Sequence, residues 1–209
     1  MSSIFTKPEE VQQESKYGVT VLFLHGLEGS SRGSKAMSLS AEWNALCPSL
    51  RTHDLLDLRS KCGGVWSLRE QEEINEAFET PYSDALDALR YVKPDVIVAS
   101  SMSGAILFKL ISEGLYEGAS VFCAPAIGSL LPANYVEEAT DKKSKVFQKS
   151  VWLLGEVDTV VSNSHNVSLA KALGGSVIVS PNDGHRLNKA VESNILNAAV
   201  LTSIEMMEK

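Results

Sequence analysis

Short runs of apolar residues recur along the chain, and between them the apolar residues follow a helical spacing. Five of the runs are continuous and rich in Val and Ile, a pattern typical of strands buried on both faces of a sheet. These runs cover Val19–Leu24, Val96–Ala99, Ser120–Cys123, Ser150–Leu154 and Val177–Val179. A weaker sixth strand is predicted over Leu50–Asp54.

The segments between these runs predict amphipathic helices. They cover Lys35–Leu46, Ser83–Val92, Ser103–Ser112, Ser164–Leu173 and Leu187–Ile204. Ser83 is the expected N-cap of its helix. Strands that alternate with helices in this order predict the α/β class, a three-layer α/β/α sandwich around a mostly parallel sheet.

A few stretches fall outside this alternation. Residues 1–17 are polar, so we expect an N-terminal tail before a single domain over residues 18–209. Residues 125–149 form the only long irregular stretch between strands and are a candidate small lid segment. The loop Leu55–Trp66 follows the weak strand, and we expect Trp66 to serve ordinary packing in preference to lining a pocket.

Chemistry is expected just after the strands, because ligands of such sheets bind at the carboxyl ends of the strands. In Val96–Ala105 a buried strand runs into a sharp turn and then a helix. A serine at the apex of such a turn exposes its hydroxyl, and the residues two before and two after it must be small. Ser101 meets this condition, with Ala99 and Ser103 where the usual pattern has glycine.

Two neighbouring serines are alternative centres of the same turn. Ser100 would put Met102 at a position that requires a small residue, which fits badly. Ser103 would have small neighbours but would fall half a turn into the helix. Another interpretation is that these serines only cap the start of the helix.

A serine hydroxyl is a weak nucleophile that needs a general base, and the base needs an acid that orients it. Asp158 follows a predicted strand in a Gly-x-x-Asp sequence, which is expected to point its carboxylate at the site. His185 follows a glycine at the start of the last predicted helix, where its ring is free to reach a serine and a carboxylate. Glu156 and Asp183 stay open as rival acids.

The other candidate bases are less well placed, since His53 falls in the weak strand and His165 at a helix start. An isolated turn aspartate or helix-start histidine has an ordinary structural explanation. Ser101, Asp158 and His185, however, follow three different strands in the chain order expected of a catalytic triad. Their alignment favours a shared catalytic site.

The first strand ends in a His-Gly pair that adds a fourth feature to this edge of the sheet. A backbone N–H after such a turn can donate to an oxyanion, and Leu27 is the expected donor. The second donor is the N–H of Met102, the residue after the serine. His25 is expected to support this loop through hydrogen bonds and not to act as the base.

Four motifs resemble, in their order along the chain, the markers of the α/β-hydrolase superfamily. They are the His-Gly turn, the serine turn, the Gly-x-x-Asp loop and the Gly-His pair. The resemblance extends from Val19 nearly to the end of the chain. Within the superfamily, the Ser-rich segment Leu24–Ala36, with its Ser-x-Lys-Ala sequence, is similar to small, nearly capless serine esterases.

This resemblance implies a serine hydrolase that cleaves a carboxylic ester, a thioester or an amide through an acyl-serine intermediate, without a cofactor. Its expected partner is a small-molecule acyl substrate, and the short lid favours small or extended acyl groups. One alternative is a non-catalytic ligand-binding or signalling protein on the same scaffold. Another is a lyase or perhydrolase that uses the same three residues.

Composition and charge disfavour several other classes of function. The 209 residues are 44% hydrophobic and carry a net charge of −7 without a basic block, which disfavours nucleic acid and anionic membranes as partners. The three cysteines form no Cys-x-x-Cys pair, and no His-Glu-x-x-His occurs, so neither a disulfide framework nor a metal site is expected. Without an apolar leader or a membrane-length apolar stretch, a cytoplasmic protein is expected, and nothing indicates its oligomeric state.

A phosphate-binding loop is the remaining rival for the segment after the first strand. Residues 29–35 contain two glycines and end in Lys35, as such loops do. Ser34 stands where the glycine belongs, however, and Ala36 replaces the hydroxyl residue that would bind Mg²⁺. The sequence therefore disfavours a nucleotide-binding enzyme.

Overall fold

A single parallel sheet forms the centre of the protein. The structure is a computed structural model that describes residues 18–142 and 145–208, so the predicted tail over residues 1–17 lies outside it. Six strands in the described residues pair in the order β2-β1-β3-β4-β5-β6, and every pairing is parallel. The strands are β1 (Thr20–Leu24), β2 (Asn44–Leu46), β3 (Val96–Ser100), β4 (Ala119–Cys123), β5 (Ser150–Gly155) and β6 (Ser176–Ser180).

Helices cover both faces of the sheet, which confirms the three-layer prediction. They are α1 (Ser34–Glu42), α2 (His53–Lys61), α3 (Gln71–Val92), α4 (Met102–Ser112), α5 (Ile127–Leu130), α6 (Ala133–Lys142), α7 (Lys145–Gln148), α8 (Asn163–Leu173), α9 (Asn188–Glu192) and α10 (Ile195–Met207). Alternate residues of each strand enter separate cores, because successive side chains point to opposite faces. In β1, Leu22 and Leu24 pack with α3 and α4, whereas Val21 and Phe23 pack with α1 and α10.

The weak strand predicted over Leu50–Asp54 is wrong, and the loop predicted to follow it is largely helix α2. Of residues 50–54, only Leu50 is buried, so the segment has no alternating buried face. Helix α2 is favoured because Asp54 lies in its first turn and Arg59 and Lys61 lie in its last, which complements the helix dipole.

The true strand of this region is β2, inside the segment predicted as the end of a helix. Helix α1 ends at Glu42, and β2 then pairs with β1 through Asn44–Leu46. The buried residues Trp43, Ala45 and Cys47 follow the two-residue period of a strand. The longer helical pattern that precedes them hid this short period.

Two further helix boundaries differ from the prediction. Helix α3 begins at Gln71 and continues through Pro81, so Ser83 lies inside the helix and is not its N-cap. The helix predicted over Leu187–Ile204 is divided into α9 and α10, because Asn194 between them has a left-handed backbone with φ 62°.

Within residues 125–149, the described residues are mostly helical, since they form the short helices α5, α6 and α7. Ile127 and Leu130 of α5 and Phe147 of α7 are almost completely buried in the core on one face of the sheet. In the part of the chain that the structure describes, no separate cap domain covers the sheet. A lid role for residues 125–149 stays a prediction.

Candidate active site

Ser101 occupies a sharp turn between β3 and α4. Its backbone has φ 55° and ψ −114°, a conformation that non-glycine residues rarely adopt. Neighbouring segments hold this turn: the N–H of Ser101 donates to the carbonyl of Cys123 (2.9 Å), and its carbonyl accepts from the N–H groups of Gly104 and Ala126 (2.9 Å each). The contacts with the β4 end therefore support the strained backbone that presents the hydroxyl.

Two glycines allow other segments to approach this turn closely. A Cβ at Gly26 would lie 3.1 Å from Cβ of Ser101, and a Cβ at Gly104 would lie 2.4 Å from Cβ of Pro125. The crowding thus falls on Gly104, one residue after the position where the usual pattern has glycine. Ser103 is therefore tolerated at the position where the usual pattern has glycine. The sequence pattern alone did not indicate that Gly104 is the residue that must be small.

The two alternative serines do not bind His185. Ser100 belongs to β3 and is buried. Ser103 is fully buried in α4, and its hydroxyl donates to the backbone carbonyl of His25. Ser101 is therefore the serine of this turn that the structure brings to the histidine.

His185 lies between Ser101 and Asp158 and forms a hydrogen bond to each. Its Nε2 is 2.8 Å from Oγ of Ser101, and its Nδ1 is 2.9 Å from Oδ2 of Asp158. The carboxylate accepts the Nδ1 proton, so Nε2 carries a lone pair that accepts the serine hydroxyl. The side chain of His185 is 18% exposed, so the ring is only partly shielded from solvent.

Asp158 is completely shielded from solvent and strongly hydrogen-bonded. Its side chain is 0% exposed, and its Oδ1 accepts the N–H groups of Val160 (2.8 Å) and Val161 (3.1 Å). Burial alone would raise the pKa of Asp158, but the hydrogen bonds from His185 and these two amides outweigh it and lower the pKa. Asp158 is therefore a carboxylate at neutral pH.

The rival acids have structural partners instead. Glu156 accepts the N–H of Asn182. Asp183 is buried and accepts from the Ser180 hydroxyl and from the N–H groups of Gly184 and Ala190. Both carboxylates thus fix the segment that carries His185 and do not contact its ring.

The sequence predicted that His185 lies at the start of the last helix, and this prediction is wrong. His185 lies in a turn closed by a hydrogen bond from the N–H of Leu187 to the carbonyl of Gly184 (3.0 Å), and α9 begins after this turn. The turn is attached to the end of β5, because the N–H of Val157 donates to the carbonyl of Asp183 (2.9 Å). This attachment links the histidine segment to the loop that carries Asp158.

The predicted oxyanion donors lie on either side of Ser101. Leu27 belongs to a turn closed by the N–H of Gly29 and the carbonyl of Gly26 (2.9 Å), and Met102 is the first residue of α4. Among residues 18–142 and 145–208, neither the Leu27 N–H nor the Met102 N–H donates to a protein acceptor. Both groups are thus free to bind a ligand, and their role as oxyanion donors stays a prediction.

His25 supports this turn, as expected. Its Nδ1 donates to the carbonyl of Gly26 (2.8 Å), and its Nε2 accepts the N–H of Leu50 (3.1 Å). Burial lowers the pKa of His25, with a smaller opposing contribution from the Gly26 hydrogen bond, and therefore favours the neutral ring. Sequence reasoning did not find Leu50, because a backbone amide leaves no mark on the sequence.

Helix α2 provides further support that the sequence did not indicate. The hydroxyl of Thr52 donates to the carbonyl of Leu27 (3.1 Å), and Arg59 forms an ion pair with Glu28. The turn that carries Leu27 is therefore fixed to the start of α2 as well as to the β3–α4 turn.

The structure shows no sign of a resident metal or a membrane span in the residues that it describes. No group of three or more His, Cys, Asp or Glu side chains there is arranged to hold a metal ion. None of the helices described is long and apolar enough to cross a membrane. The cysteines Cys47, Cys62 and Cys123 are all buried and unpaired.

A cavity lies at the opposite edge of the sheet, at the amino ends of β1, β3 and β4. Its volume is about 800 Å³, and Val19, Leu89, Asp95, Tyr116 and Ile204 are among its lining residues. None of the predicted site residues lines it.

The sequence matches no protein-family model and no curated protein. Solved structures match over most of the chain, although their sequences are only distantly similar. Est1E from Butyrivibrio proteoclasticus with ferulic acid bound is 14% identical with a TM-score of 0.65, and the match covers 94% of this chain and 94% of that one.

Two other matches have related descriptions. An α/β serine hydrolase homologue from Coxiella burnetii is 13% identical with a TM-score of 0.58, over 91% of this chain and 86% of that one. An esterase from Pyrococcus furiosus is 15% identical with a TM-score of 0.56, over 88% of this chain and 80% of that one. The protein therefore has the α/β-hydrolase fold.

Proposed function

We propose that this protein is a serine hydrolase that cleaves a carboxylic ester, or a related thioester or amide, through an acyl-serine intermediate. One observation carries the proposal: His185 is hydrogen-bonded both to Oγ of Ser101 (2.8 Å) and to Oδ2 of Asp158 (2.9 Å). A serine activated by a base, with the base oriented by a carboxylate, is the arrangement that acyl transfer requires.

In the acylation step, Nε2 of His185 removes the hydroxyl proton of Ser101 while Oγ attacks the acyl carbon. Asp158 keeps the proton of the ring on Nδ1 and stabilises the imidazolium that forms. The tetrahedral intermediate then collapses, its bond to the leaving oxygen breaks, and His185 gives the proton to the departing alcohol. The acyl group remains as an ester on Ser101.

In the deacylation step, a water molecule takes the place of the alcohol. His185 removes a proton from this water, whose oxygen attacks the acyl carbon. The second tetrahedral intermediate then collapses, its bond to Oγ of Ser101 breaks, and His185 returns the proton to Oγ as the carboxylic acid leaves. The N–H groups of Leu27 and Met102 are the proposed donors to the oxyanion in both steps, since each N–H lies beside the turn and has no protein acceptor among the described residues.

The structural neighbours support an ester as the first substrate to test. One neighbour is described as an esterase, and another binds ferulic acid, a small aromatic carboxylic acid. A first panel therefore contains simple esters of graded acyl length together with feruloyl esters.

The test is covalent labelling with a fluorophosphonate probe, followed by peptide mapping of the adduct. We expect one adduct per chain, on Ser101, and no adduct on a folded His185→Ala variant. An unlabelled but folded wild-type protein, confirmed by its circular dichroism, would contradict the proposal. The non-catalytic binding scaffold would then become the leading hypothesis.

A further inference from the structure

A lysine from the first helix contacts the segment that carries His185. Lys35 is the second residue of α1, and its Nζ donates to the backbone carbonyl of Arg186 (2.6 Å). Lys35 is partly buried, and burial lowers its pKa more than the nearby Cys123 and Asp183 raise it. A partly desolvated cation gains from an acceptor that the protein gives it.

The carbonyl that Lys35 binds belongs to a peptide group with restricted geometry. This peptide joins Arg186 to Leu187, and Leu187 has a left-handed backbone with φ 54° and ψ 38°. A leucine is disfavoured in this region because its Cβ approaches the following carbonyl. Rotation of the peptide would relieve the left-handed backbone, and the bond from Lys35 opposes that rotation.

The same turn determines where the imidazole of His185 lies. The turn is closed between Gly184 and Leu187, with His185 and Arg186 between them. Asp183 holds the beginning of the segment through bonds within the segment and to α9. Lys35 supplies a contact from α1, a different part of the chain, to the other end of the turn.

We propose that Lys35 is a positioning residue for His185. Its ammonium holds the Arg186 carbonyl and thereby fixes the turn in the geometry that brings Nε2 of His185 to Oγ of Ser101. The effect of Lys35 on turnover rests on the proposed hydrolase function, whereas its effect on the position of the ring does not. Among the described residues Lys35 forms no hydrogen bond to Ser101, His185 or Asp158, and a role as a phosphate-loop lysine is not required to explain it.

The test compares Lys35→Met with Lys189→Met. Methionine keeps the apolar stem of Lys35 and removes its charge and its donor. Lys189 is an exposed lysine on α9, just beyond the same turn, so its replacement controls for the loss of a nearby positive charge. Each rate is divided by the amount of Ser101 that the fluorophosphonate probe titrates after long incubation.

We expect kcat per titrated site to fall about 100-fold in Lys35→Met, because a displacement of a catalytic group by about 1 Å costs a factor of this size. KM should stay unchanged, and Lys189→Met should behave as the wild type. If Lys35→Met has fewer titratable sites but each site keeps the wild-type kcat, Lys35 has only a structural role and the proposal is overturned. Wild-type kcat per site in Lys35→Met would overturn it as well.

Proton NMR gives a second readout that does not depend on turnover. The Nδ1 proton of His185, bound to Asp158, should give a low-field resonance in the wild type and in Lys189→Met, and a shifted or broadened one in Lys35→Met. An unchanged resonance in folded Lys35→Met would overturn the proposal even if no substrate were ever found. If Lys35→Met fails to fold, Lys35→Gln, which keeps most of the stem, serves for the same measurements.

Discussion

At the carboxyl edge of the sheet three polar side chains form a chain of hydrogen bonds to one another, whereas at the amino edge Asp95 and Tyr116 bind the backbone at the starts of strands. Ser101, His185 and Asp158 form a chain of hydrogen bonds that begins on a buried carboxylate and ends on a hydroxyl. At the amino edge, the Asp95 carboxylate accepts the N–H of Thr20 (2.8 Å). The first arrangement can move a proton, and the second only secures the fold.

The two edges also differ in backbone geometry. Six non-glycine residues in the described part of the chain have positive φ. Four of them lie at or near the carboxyl edge (Ser101, Ala124, Asn182 and Leu187), Lys93 precedes β3 at the amino edge, and Asn194 separates α9 from α10. The cavity of about 800 Å³ lies at the amino edge. The comparison teaches that converging polar groups and strained turns, and not the volume of a cavity, mark the candidate site in this protein.

The largest expected effect is that of Ser101→Ala at the carboxyl edge. Removal of the nucleophile should reduce kcat on the order of 10⁶-fold, the scale found when a serine nucleophile is deleted. The fold should persist, because alanine has no larger volume than serine. Steady-state kinetics with the best ester of the panel measures the loss.

Ser103→Ala is the matched control for that variant. It removes the bond to the His25 carbonyl and should keep most of the activity. Full activity in Ser101→Ala, together with loss of activity in Ser103→Ala, would show that the wrong serine of the turn was chosen.

Asp158→Asn should have the next largest effect, a decrease in kcat of about 10⁴-fold. An asparagine amide can donate to Nδ1 of His185, which favours the tautomer whose Nε2 is already protonated. Asp95→Asn makes the same chemical change at the amino edge and should leave kcat unchanged. Similar losses in the two variants would remove the functional difference between the edges.

A methyl group added at each edge should separate catalysis from stability. In Gly26→Ala the new Cβ lies 3.1 Å from Cβ of Ser101 and should shift the serine by a few tenths of an ångström. This shift should lower kcat/KM by less than the factor of about 100 that a displacement of about 1 Å costs. In Gly118→Ala the new Cβ lies 2.5 Å from the hydroxyl oxygen of Tyr116, at the amino edge. That variant should unfold at lower temperature while its folded fraction keeps the wild-type kcat.

The smallest expected effect is that of Tyr116→Phe. The hydroxyl of Tyr116 donates to the carbonyl of Ala119 (2.7 Å) at the start of β4. Its removal should cost about 1 kcal/mol in the free energy of unfolding, the usual contribution of one hydrogen bond. Urea denaturation measures this cost, and kcat should not change. A loss of turnover in this variant would show that the amino edge is coupled to the site.

Local patterns predicted the main parts of both the sheet and the site. The fully buried strands β3, β4 and β5 are continuous apolar runs, and their bounds are within a residue of those expected. Ser101, Asp158 and His185 could be proposed because each follows a strand in a recognisable short sequence. The structure brings these three side chains together, while their catalytic role remains to be tested by the variants above.

Contacts between distant segments were not predictable in the same way. The side chains of Lys35 and Thr52 each bind a backbone carbonyl. Because every residue has a carbonyl, no sequence pattern indicates which one such a side chain will bind. Strand β2 was missed for another reason. The period of two in its buried residues extends over only a few positions, too few to stand out beside the nine-residue helix α1.

The positive φ of Ser101 lowers the stability of the fold at the position that presents a hydroxyl to His185. Glycine adopts such a backbone without the penalty of about 1–3 kcal/mol that other residues incur. A chain with glycine at this position should therefore survive heating better than the chain with serine, although it would lack the hydroxyl that His185 binds.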